Sequence, residues 1–415
     1  MLRGFLHPDF TGVVDQFRRL LPASDGGASL AILHRGEVVV EVAGGTRDAS
    51  GAPFLTDTVA LSFSTTTGVA STLVHILASQ GRIDYDAPVA TYWPAFGQNG
   101  KETITVRDVL CHEAGLFSIR ALVDDASEML DWAGMLRRIE QARPAHAPGE
   151  SRAYHAVTYG WLVGGLIEKV TGKPFAEVLR DELAMPLGLR GCFVGLPRDE
   201  MHRRAHLFGA GAKRPDAKAP GAPPRRRART RAAKLGSALR TAAFKLVGGD
   251  PASFKEALMP RGIANVDWND EATLAACIPA ANGAFDARSL ARMYAMLANG
   301  GELDGVRLLS PRTLAMMRVN HLPGDQDLTQ RAVDSFSETL HQGVGFGLGF
   351  ATTLSEARAG VPGGGDFYWG GLAGTVFWVD PREDLVAIFM TQLTPSRAYN
   401  LRGVMKSVVY GALVD

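Results

Sequence analysis

Ser64 stands where a strand-like run, Val59–Phe63, gives way to a helical pattern, within Val59-Ala-Leu-Ser-Phe-Ser-Thr-Thr-Thr-Gly68. A serine in the first turn of a helix has unpaired backbone N–H groups and the positive helix end beside it. That setting suits a nucleophilic hydroxyl whose reaction builds up an oxyanion. It suits an ordinary N-cap equally well, so Ser64 by itself leaves both readings open. Four other runs hold groups able to bind or move protons. They are Asp108-Val-Leu-Cys-His-Glu-Ala-Gly-Leu116, Tyr154-His-Ala-Val-Thr-Tyr-Gly-Trp-Leu162, Pro279-Ala-Ala-Asn-Gly283 with Ala287-Arg288, and Tyr368-Trp-Gly-Gly-Leu-Ala-Gly-Thr375. The chain has no Gly-x-Ser-x-Gly elbow and no His-Glu-x-x-His pair, which argues against a classical α/β-hydrolase and against metal catalysis.

The elements that must position these groups follow from periodicity. Residues 29–45 hold two β-rich runs about Arg35-Gly36, which predicts a hairpin. Val376–Val379 and Leu385–Thr391 flank Asp380-Pro-Arg-Glu and predict a second. Val69, Leu73, Ile76 and Leu77 share one face of a helix running from about Ser64 to Gly81. Further helices are predicted over Thr158–Val170, ending at Gly172, over Ser289–Ala298, and from Ser396 onward. The first residues, MLRGFLHPDFTGVVDQFRRLL, read as an amphipathic helix rather than a signal peptide. Together these predict an α/β (α+β) chain: an antiparallel sheet from both ends, flanked by terminal helices, plus a mostly helical lobe. One domain is expected, with a sheet lobe at about 1–60 and 340–415 and a helical lobe at about 61–339.

The four runs, in this order and spacing, resemble the serine β-lactamase and penicillin-binding-protein superfamily. Within it they are most similar to the β-lactamase-like carboxylesterases called family VIII. The resemblance implies an acyl-enzyme mechanism without a cofactor. Ser64 matches the nucleophile, and Tyr154 matches the tyrosine that moves protons to and from it. Trp369-Gly370-Gly371 matches the place of the Lys-Thr-Gly box. The backbone N–H groups of Ser64 and Leu372 would form the oxyanion hole. Tryptophan in place of that lysine favours an uncharged ester over a β-lactam carboxylate. His112 falls in a structural His-x-x-Gly-Leu loop. His155 adjoins Tyr154 but should point away from it.

One position departs from the pattern. The resemblance calls for a lysine three residues after the serine, and Thr67 stands there. An unassisted tyrosine, with a pKa near 10, is ionised to only about 0.1% at pH 7. Threonine supplies neither base nor charge. No lysine lies three residues after any serine, so a substitute cation would have to be an arginine such as Arg120, Arg261 or Arg288. The expected function is hydrolysis of a small ester or lipid, of esterase or lipase type. The alternatives are a catalytically silent binding protein on the same fold and, after it, a β-lactamase or D-Ala-D-Ala peptidase.

Composition sets the remaining bounds. The 415 residues are 46% hydrophobic and 21% charged with net charge +1, a balance without global attraction for nucleic acid. Cys111, Cys192 and Cys277 are too few and too far apart for a metal motif or a disulfide framework, so a cytoplasmic setting is expected. Residues 211–240 form a basic, proline-rich insertion with Asp216 as its sole acid. Such a run reads first as a solvated surface insertion, and second as a contact for a membrane surface or an acidic partner.

Overall fold

The computed structural model describes residues 2–21, 26–209, 251–319, 321, 344–353, 365–394 and 401–413. The basic run 211–240 lies outside the described residues, and so does the expectation attached to it.

Eight strands form one antiparallel sheet. Their spatial order is Arg3–Leu6, Glu37–Gly45, Gly27–His34, Leu385–Thr391, Val376–Asp380, Phe367–Gly370, Ala351–Thr353 and Val344–Phe346. Both predicted hairpins are present. The first turns at Arg35 (φ 54°) and Gly36 (φ 80°), a pair of left-handed residues that matches the twist of the flanking strands. Gly27–His34 then pairs with Leu385–Thr391, which welds the early hairpin to the late one.

Side chains alternate across this sheet as the strand period requires. Phe377 and Val379 face a large core shared with the helices, while Trp378 faces a smaller core on the other side. The helices Thr11–Leu20 and Leu401–Gly411 close that second core, with Val13, Val14, Phe17, Met405 and Val409 against Leu30, Ile32 and Phe389. The opening residues are not one helix. Arg3–Leu6 is an edge strand paired with Glu37–Gly45, and the helix starts at Thr11. Mostly exposed strand residues carry no apolar alternation, so sequence pattern does not reveal this strand.

The other helices lie on the opposite face. Thr65–Ser79 is buried almost all round and packs against Thr158–Thr171, which ends at left-handed Gly172 as predicted. Ala287–Ala298 starts two residues earlier than predicted, under an N-cap from Asp286. Buried His75 ties Thr65–Ser79 to its surroundings through Tyr85 Oη (2.7 Å) and the Leu348 carbonyl (3.0 Å). Among the described residues no helix is long and apolar enough to cross a membrane.

Candidate active site

The turn that carries Ser64 is clamped from three sides. Of the predicted strand, Ala60–Leu61 joins Gly283–Phe285 in a small three-stranded sheet with Cys192–Val194, and Val59 makes a single parallel bridge to Arg204. Ser62 N–H donates to the Gly283 carbonyl (2.9 Å), and Gly283 N–H donates to Thr66 Oγ1 (3.0 Å). The buried side chain of Asn282 fixes the approach to Gly283, accepting from Ile278 N–H and donating to the Thr273 carbonyl. Phe63 is held at φ 43°, a costly conformation for a bulky residue. Its ring packs edge-on against Trp268 at 5.1 Å. That kink delivers Ser64, half-buried, to the N-terminus of the 15-residue helix Thr65–Ser79.

Trp369-Gly370-Gly371 reaches the same turn from the main sheet. The strand Phe367–Gly370 is an interior strand, flanked on both sides. Gly371 approaches so closely that a Cβ there would lie 1.9 Å from the Ser62 carbonyl oxygen and 3.0 Å from Thr65 Oγ1. The contact brings Leu372 beside the serine turn. Among the described residues neither Ser64 N–H nor Leu372 N–H meets a backbone carbonyl, and Leu372 is exposed. Thr375 Oγ1 donates to Ser62 Oγ (3.4 Å) and braces the two segments.

Tyr154 is buried among rings. Its centroid is 5.5 Å from Trp369 and 4.9 Å from His112. Trp369 is also edge-to-face with Phe346 at 5.5 Å. The indole is therefore an uncharged wall where the resemblance places a lysine.

Both histidines are structural, as their sequence context implies. His155 Nδ1 donates to the Ala153 carbonyl (2.7 Å) and Nε2 accepts from Leu116 N–H (3.0 Å), which requires the neutral ring. Burial pushes its pKa down to about 3. His112 Nδ1 accepts from His155 N–H (3.2 Å), and burial, then His155 and Arg152, hold it well below the ordinary histidine value.

Thr67 is buried, and its hydroxyl donates to the Ser64 backbone carbonyl (2.7 Å) rather than to the Ser64 side chain. The three arginines weighed from sequence lie elsewhere. Arg120 donates to the Met259 carbonyl, Arg261 to the Arg120 carbonyl, and Arg288 pairs with Glu41 at 3.4 Å. Sequence reasoning missed Arg152. It is buried, donates from Nε to the Cys111 carbonyl (2.9 Å), and lies 4.2 Å over the Phe346 ring. Nothing in a lone arginine two residues before a tyrosine signals burial. Among the described residues no group of histidines, cysteines and carboxylates is set to hold a metal.

The beta-lactamase family matches residues 17–406. An esterase/beta-lactamase, LipL of Mycobacterium tuberculosis, is 38% identical over 382 residues, which cover 91% of this chain and 80% of LipL. The esterase EstB of Burkholderia gladioli is 28% identical over 40% of this chain and 46% of its own length. Among solved structures, a family VIII carboxylesterase superposes with TM-score 0.78 at 27% identity, covering 99% of this chain and 100% of the other. A penicillin-binding-protein homologue from Caulobacter crescentus gives TM-score 0.77 at 28% identity with the same coverage.

Proposed function

This chain belongs to the beta-lactamase family, and from that premise we propose that it hydrolyses carboxylic esters through an acyl-enzyme on Ser64. The observation that carries the reading is the approach of Gly371 to the Ser62 carbonyl, beside two N–H groups, those of Ser64 and Leu372, that no backbone carbonyl among the described residues takes. In the proposed reaction Ser64 Oγ attacks the ester carbonyl and passes its proton toward Tyr154. The carbonyl oxygen gains charge between the Ser64 and Leu372 N–H groups, at the positive helix end. The C–O bond to the alcohol breaks, and the proton leaves with the alcohol. Water then attacks the acyl group by the same route in reverse, freeing the acid and restoring the serine. Trp369, packed on Tyr154 and Phe346, favours an uncharged acyl or aromatic substrate, including lipid-like esters.

We also place the protein in a reducing, cytoplasmic setting and read the sheet and helices as one catalytic domain. The free thiols of Cys111, Cys192 and Cys277 support the compartment.

The test is labelling of Ser64 by a fluorophosphonate probe together with cleavage of short p-nitrophenyl esters. Both are expected in the native chain and lost in Ser64→Ala. Absence of both at high protein concentration overturns the reading. One observation favours a second, catalytically silent reading: the Thr67 hydroxyl is committed to the backbone and leaves the serine without a base at that position.

A further inference from the structure

Phe63 immediately precedes Ser64 and sits at φ 43°, in the left-handed region that favours glycine. For a bulky residue that region is disfavoured by on the order of tenfold. Such a conformation persists only where its surroundings fix it. Backbone bonds hold the chain on both sides. Ser62 N–H donates to the Gly283 carbonyl (2.9 Å), and the Phe63 carbonyl accepts from Thr66 N–H (2.9 Å) and Thr66 Oγ1 (2.6 Å). The side chain is held by a different part of the molecule. Its ring meets Trp268 edge-on, with 5.1 Å between centroids and both residues buried.

Trp268 is itself anchored on both sides. Its neighbour Asn269 accepts from Leu207 N–H (2.7 Å) and donates to the Leu207 carbonyl (3.1 Å). Upstream, the Arg261 carbonyl accepts from Ala126 N–H (2.7 Å), and the Met259 carbonyl accepts from Arg120 Nε (2.6 Å). Within residues 261–270 Trp268 alone is buried, so this stretch of surface chain sends one large side chain inward, onto Phe63. Burial of two rings in edge-on contact is of the size needed to offset the backbone penalty. Ser64 follows directly on the chain, so any rotation at Phe63 turns the Ser64 N–H and side chain together. We propose that Trp268 is a positioning residue: its indole keeps Phe63 left-handed and thereby aims the Ser64 hydroxyl for attack. This rests on reading Ser64 as the nucleophile.

The kinetic test separates aim from binding. Trp268→Ala should lower kcat by about tenfold, the factor by which the unsupported turn leaves its working conformation, with KM within about twofold. The rate of Ser64 labelling by a fluorophosphonate should fall in step, and Trp268→Phe, which keeps a ring, should restore both. Phe63→Gly removes the penalty that the indole offsets, since glycine reaches positive φ without strain. In that background Trp268→Ala should cost no more than about twofold.

A second measurement needs no substrate. The backbone carbon shifts of Phe63, read by NMR of the full chain with labelled phenylalanine and assigned by their loss in Phe63→Gly, report its conformation. They are expected in the left-handed range in the native protein and in Trp268→Phe, and displaced from it in Trp268→Ala. Should Trp268→Ala not fold, Trp268→Leu, which is apolar without a ring, takes its place with the same expectations. A native Phe63 signal outside the left-handed range overturns the proposal whether or not any variant folds. So does a folded variant that melts earlier but keeps native kcat and native Phe63 shifts, which is ordinary core packing. An equal loss with and without Phe63→Gly overturns it as well, because the effect would not then pass through Phe63. Phe63 shifts that depend on Trp268 in a protein whose Ser64 is never labelled would sustain the hold on the turn while the esterase reading fails. Normal ester turnover that ignores Trp268 would do the reverse.

Discussion

The Thr67 hydroxyl bonds the Ser64 carbonyl at 2.7 Å, so its contribution is to the helix and not to the serine Oγ. Thr67→Val, which keeps the shape, should therefore leave ester turnover within about threefold, with a stability change of about 1 kcal/mol or less. Thr67→Lys adds a proton acceptor one turn from Ser64 and should raise turnover on the order of a hundredfold. A fall in existing activity on that substitution would instead rule out a silent protein. Steady-state kinetics with p-nitrophenyl esters check both. His155 yields a prediction in pH. Its folded pKa, about 3, lies below the ordinary 6.5, so the stability it contributes is complete above pH 6.5 and is lost as pH falls. The destabilisation caused by His155→Gln should accordingly be greatest above pH 6.5. It should shrink by about 1.4 kcal/mol per pH unit between about pH 6 and 4, as read by urea unfolding of both proteins at each pH.

At the scale of elements, the site is a contact between one strand end and one helix start. Gly371 makes that contact possible through its lack of a side chain, since a Cβ would overlap the Ser62 carbonyl. The obstacle is backbone and cannot swing aside, so Gly371→Ala must push the strand and the serine turn apart. A displacement near 1 Å in a catalytic constellation costs about a hundredfold in rate. Gly371→Ala should lose at least that much turnover and also melt at a lower temperature. Full activity would mean that this approach does not build the oxyanion site. On the far side of the turn, the Asn282 bonds and the left-handed Phe63 hold Ser64 from the helical side.

At the scale of the whole molecule, the helix Leu401–Gly411 closes the second core and has to be held to the sheet strands Phe367–Gly370 and Val376–Asp380. Two buried polar links serve this. Lys406 pairs with Asp366 at 2.7 Å, and Tyr410 Oη donates to Asp380 at 2.6 Å. Asp366 is fully buried, and removing its lysine would strand a carboxylate. Lys406→Met should cost on the order of 3–5 kcal/mol, and adding Asp366→Leu should recover most of it. Urea denaturation of the single and double variants decides the matter; equal stability of the two would refute the pairing as the cause. Because these links anchor the sheet that carries Trp369 and Gly371, activity should track stability across the series.

Much of this architecture was legible in the order of residues, because its signals are local. Arg35-Gly36 announces a hairpin, Gly172 a helix end, and the apolar spacing from Val69 to Leu77 a buried helix face; each is decided within a few residues of backbone. Ser64, Tyr154 and Trp369-Gly370-Gly371 stood out for a different reason, as motifs in a recurring order that resembled a known superfamily. Only tertiary structure decided the rest. It placed Gly371 against Ser62 from a distant part of the chain, turned Thr67 onto a carbonyl, and sent Arg120, Arg261 and Arg288 to other partners. It also buried Arg152 against Phe346 within the cluster that holds Tyr154. Close approach and burial are properties of surfaces brought together by folding, and the charge that matters at a site is set by that burial rather than by the residue's own type.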